Sequence, residues 1–107
     1  MDELHIVFRM QPHAEYHPVS YYAETTWLPL LGPTAWLLGR RFAQDAMGGD
    51  ELRYPVTTLA AQLGVQPNRV VAACRRLCRF GLGVETDEGF TIDVLWPPVR
   101  KPRRIAA

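Results

Sequence analysis

The sequence is poor in the residues that announce covalent or metal chemistry. Its 107 residues include two cysteines and a single serine, Ser20. Two cysteines cannot build a disulfide scaffold, and reduced thiols in a cytoplasmic setting are expected. The opening Met1-Asp2-Glu3 is acidic where a secretory leader would be basic. No run approaches the roughly 18–20 apolar residues that a membrane span needs, so no membrane partner is expected. There is no glycine-rich phosphate loop. Glu85, Asp87 and Glu88 cluster near a predicted hairpin tip, where carboxylates are solvated and lack the burial that tunes an acid or base. His13 and His17 stand four apart, as do Cys74 and Cys78. Pro12 and Pro18 argue against a helix through the histidines, and Cys74 occupies a core position where a free thiol is at home. No catalytic residue, metal, cofactor or small-molecule substrate is expected.

What remains is an ordinary globular composition, 48% hydrophobic and 21% charged, which excludes disorder along the whole chain. The length suits one domain with a modest core. Net charge is +1, but its distribution is uneven. Asp2, Glu3, Glu15 and Glu24 face only Arg9 in the first 24 residues. Arg69, Arg75, Arg76 and Arg79 fall in the stretch 64–81, which contains no acid. Arg100, Lys101, Arg103 and Arg104 form a basic tail. Charge of one sign gathered on one element points to a polyanion more than the whole-chain sum does. The competing reading is a solvated face of good helix formers.

Periodicity gives the order of elements. Residues 4–10, LHIVFRM, read as a strand ending at Gln11-Pro12. Residues 11–26 lack a clean period and are expected to be irregular, with at most a short helical turn. Glycine and proline punctuate residues 27–33. A helix is predicted from Pro33 or Thr34 to Met47, with Leu31, Ala35, Leu38 and Phe42 on its apolar face. Arg53 to Val56 is short and extended, its proline requiring an edge or strand end. Thr57 or Thr58 is the expected N-cap of a helix over Leu59–Leu63, stopped by Gly64. Pro67 opens the next helix, which runs to Phe80 with Gly81 as its left-handed stop. Val70, Ala73, Cys74, Leu77 and Phe80 form its predicted buried stripe. Residues 82–86 and 90–95, joined by Asp87-Glu88-Gly89, read as a β-hairpin. The chain divides into an aromatic N-terminal segment (1–32), a helical core with hairpin (33–99) and a basic tail (100–107). No internal repeat is evident.

Residues 59–82, LAAQLGVQPNRVVAACRRLCRFGL, resemble the winged helix-turn-helix family. The likeness lies in Leu-Ala-x-x-Leu-Gly-Val, followed by spaced apolar residues and a closing Gly-Leu, and it extends over about residues 33–95. Small Ala60 suits a close helix crossing, and Gly64 permits the turn. The segment 27–35, WLPLLGPTA, resembles more weakly the lead into the first helix of DnaD-type replication-initiation proteins and of small winged-helix proteins from actinobacteria and their phages. The resemblance implies an α+β fold of three helices and a two-stranded wing, here with an added N-terminal strand. It also implies a partner, double-stranded DNA, read by the 67–80 helix in the major groove.

On that expectation Gln66, Asn68 and Arg69 meet base edges, where amides suit adenine and a guanidinium suits guanine. Arg75, Arg76, Arg79 and the tail residues Arg100, Lys101, Arg103 and Arg104 meet phosphates. Such a protein regulates transcription or assists a phage or plasmid DNA transaction. The alternative is a protein-interaction module that keeps the fold without DNA binding, since fold alone does not fix function. The hairpin acids favour it. Glu85, Asp87 and Glu88 place acids on the wing, which phosphates would repel. Tyr21, Tyr22, Trp27 and Trp36, with Tyr16 and Trp96, exceed the needs of a small helical core. They either pack the N-terminal segment or form a surface for a protein partner or homodimer.

Overall fold

A computed structural model describes residues 2–12 and 14–99. Strand β1 (Glu3–Arg9) is followed by an irregular stretch and a helical segment, 21–31. That segment contains a π-helical turn (Ala23–Trp27) and ends in α1 (Leu28–Leu31). Then come α2 (Pro33–Asp45) with a 3-10 turn (Ala46–Gly48), β2 (Glu51–Pro55), α3 (Val56–Leu63), α4 (Pro67–Arg79), β3 (Gly83–Glu85) and β4 (Gly89–Asp93). The α+β class holds, but the described residues form four helices and a four-stranded mixed sheet in place of three helices, a two-stranded wing and an added strand.

The sheet order is β2-β1-β4-β3, so the N-terminal strand lies in its middle. β1 pairs antiparallel with β2 and parallel with β4, and β3 pairs antiparallel with β4. β1 itself supplies the core with Leu4 and Ile6. Alternation explains the geometry: Leu4, Ile6, Tyr54, Phe90 and Ile92 are buried with Leu38, Phe42, Leu59, Val70 and Leu77 of the helices. Gly89 stands opposite His5 in the β1–β4 pair. A Cβ there would strike the His5 carbonyl oxygen.

The helix beginning at residue 21 was not legible as a helix. Ser20 starts it by accepting a hydrogen bond from the Ala23 N–H at 3.1 Å. Pro29 supplies no N–H, and immediately before it the chain takes a wide turn in which the Leu28 N–H reaches the Ala23 carbonyl. The predicted punctuation at 27–33 is instead one break at Gly32, whose φ of 84° suits glycine. α3 also starts earlier than predicted, at Val56, with extended Pro55 before it and no side-chain cap. Val56 is buried, and its packing against the core sets the start that the threonines were expected to set. Gly64 (φ 73°) and Gly81 (φ 80°) turn the chain where expected. Phe80 is half-buried rather than part of the buried stripe.

Candidate nucleic-acid interface

α4 separates its faces sharply. Val70, Ala73, Cys74 and Leu77 are buried, while Gln66, Asn68, Arg69, Ala72, Arg75 and Arg79 are exposed. Gln66 is the N-cap in extended conformation, and Asn68 and Arg69 lie in the first turn. The three residues assigned to base edges are thus together at one end of the helix.

Arg69 also borders two concavities. One, of about 260 Å³, lies between α4 and the α1–α2 junction, with Ala72 on one wall and Gly32, Pro33 and Thr34 on the other. The second, of about 520 Å³, is flanked by Gly64, Gln66 and Thr34. Thr34 and the start of α2 were not foreseen at this site. The Gly32-Pro33 pair was their signal, because it fixes where a 13-residue helix points its N-terminal N–H groups.

The remaining arginines divide. The Arg76 Nε donates to the Leu31 carbonyl at 2.6 Å and its Nη2 to the Leu30 carbonyl at 2.8 Å. These are carbonyls that the end of α1 leaves without helical partners. The same guanidinium lies 5.3 Å from the centre of the Phe80 ring. Arg76, expected at phosphate, is thus engaged by the fold. Arg75 donates twice to Glu85 on β3, Nε to Oε1 and Nη2 to Oε2, each at 3.3 Å. Its charge is matched on the protein itself. Arg79 remains exposed at the far end of the helix. Arg100, Lys101, Arg103 and Arg104 lie outside the described residues, as does His13.

Asp87 and Glu88 are exposed at the hairpin tip. Glu88 approaches the His5 Nδ1 at 3.7 Å, and the His5 Nε2 lies 3.0 Å from Glu51. The aromatics expected either to pack or to face a partner mostly pack. The Trp27 Nε1 donates to the Pro97 carbonyl at 2.9 Å, and the Trp36 Nε1 to the Pro18 carbonyl at 3.0 Å. Tyr22 stacks on Tyr16 and its hydroxyl accepts from the Val99 N–H. Tyr21 is the exception, with 82% of its surface exposed.

Burial pushes both cysteine thiols up from their ordinary value, Cys74 the more strongly, so each stays a neutral thiol at physiological pH. The Arg9 guanidinium is raised chiefly by its hydrogen bond to Asp93, which is made at 2.6 Å. Among the described residues no cluster of three or more His, Cys, Asp or Glu is arranged to hold a metal ion. No helix there is long and apolar enough to cross a membrane. No protein-family model, curated protein or solved structure matches this chain.

Proposed function

We propose that this protein binds double-stranded DNA through α4 in the manner of a winged helix, as a regulator of transcription or an accessory of a DNA transaction. One observation carries the reading. The exposed face of α4 presents Gln66, Asn68 and Arg69 at its N-terminal end and no acidic residue along its length. Such an end, inserted into a major groove, offers amide and guanidinium donors to base edges. The start of α2 beside Thr34 opens toward Arg69 across the shared concavity, and its partial positive charge suits a neighbouring phosphate.

The test is a salt titration of binding to random duplex DNA and to a selected best site. Affinity for both should fall steeply between roughly 50 and 200 mM salt. Arg69→Ala should cost about 1–3 kcal/mol on the best site and relax preference at one base pair. No binding to any duplex at low salt would defeat the proposal. That result would favour the protein-interaction module, for which the Arg75–Glu85 pair and the exposed Asp87 and Glu88 speak.

A further inference from the structure

At β2 the outer edge of the sheet is unpaired among the described residues. The Phe8 N–H bonds the Asp50 carbonyl and the Val56 N–H bonds the Asp2 carbonyl. In an antiparallel ladder the even-numbered residues of β2 therefore turn their backbone groups to β1, and Glu51, Arg53 and Pro55 turn theirs outward. β2 is an edge strand, and among the described residues no backbone group bonds these outward ones. Pro55, which has no N–H to offer, closes the strand and limits the free edge to the stretch around Leu52.

We infer that two copies of this chain associate by antiparallel pairing of β2 with β2, centred on Leu52. In that register Glu51 of one copy stands opposite Arg53 of the other, twice, by symmetry. Both are outward-facing positions, so each pair exchanges its backbone N–H and C=O groups. Opposite charges directly across a strand pair are favourable, and like charges there are not. A shift of one residue in the centre would place Glu51 opposite Glu51 or Arg53 opposite Arg53, so charge selects the register. Leu52, 41% exposed, lies on the same face of the strand as buried Tyr54 and meets its own copy at the centre as an apolar pair.

The in-chain partners of these charges do not use them up. Glu51 and Arg53 keep 62% and 58% of their side-chain surface exposed beside His5 and Glu3. The two-fold axis of such a pair stands perpendicular to the sheet, so both helical layers share one side of an eight-stranded sheet. The contact is independent of the DNA-binding proposal.

Sedimentation equilibrium on the full chain over a range of concentrations tests it. The native protein should show a monomer–dimer equilibrium. Glu51→Arg and Arg53→Glu should each weaken dimerisation about tenfold, since each places two like-charge pairs across the contact. The double variant Glu51→Arg with Arg53→Glu should restore it, because the exchange recreates both pairs. Circular dichroism and thermal melting of the dilute variants check that each is folded. A strictly monomeric native protein would overturn the inference. So would a dimer indifferent to the single reversals, or a double variant that fails to recover.

Discussion

Arg76 and Arg69 sit two turns apart on one helix, and the structure gives them different surroundings. Arg76 closes the carbonyl end of α1 from 45 residues away while sharing the first concavity, whereas Arg69 borders both concavities. Removing hydrogen bonds from a charged donor leaves carbonyls unmatched, so Arg76→Met should cost about 1–3 kcal/mol of stability. Chemical denaturation measures that loss, and Arg69→Ala should show almost none of it. The hydrogen bonds of Arg76 to α1 were not legible from the residue type. Both arginines lie on an amphipathic helix at positions the apolar stripe leaves free. What separates them is whether α1 ends above them, and α1 was hidden by its proline. Cys74, by contrast, was placed correctly by spacing alone, because a buried stripe is a local property of the helix.

The hairpin of β3 and β4 is the acidic element that bears on the proposed activity. Its acids have two distinct settings: Glu85 holds Arg75, whereas Asp87 and Glu88 project at the tip. If DNA lies along α4 beside this hairpin, Glu85→Gln should free the Arg75 guanidinium and steepen the salt dependence of binding by about one phosphate. Asp87→Lys with Glu88→Lys should tighten binding further, read in the same titration. Unchanged DNA affinity for both variants would remove the hairpin from the DNA site. The hairpin itself followed from glycine in a polar turn between β-rich runs. The Arg75–Glu85 pair did not, because it depends on how α4 docks against β3. Single-chain patterning does not encode that arrangement.

For the molecule as a whole, the consequential feature is the position of β1. Its existence was legible from Leu4 to Met10, but its neighbours were not, since a short apolar strand carries no mark of which strands flank it. Placed centrally, it makes Gly89 a point of contact between β1 and β4. Gly89→Ala should cost about 3 kcal/mol, because the added methyl meets backbone rather than a side chain free to yield; thermal unfolding followed by circular dichroism measures the loss. The same centrality governs the order in which the chain assembles. β1 is synthesised before the other described strands, yet Arg9 finds Asp93 only 84 positions later, while β2 arrives much sooner. Until β4 emerges, a two-stranded ribbon carries Leu4 and Ile6 along an open edge of the kind that recruits other chains. Such distant pairing is slow to form, since the loop must close before the contact rewards it. A nascent chain halted before β4 is therefore an aggregation hazard through β1, an edge that β4 covers in the finished sheet.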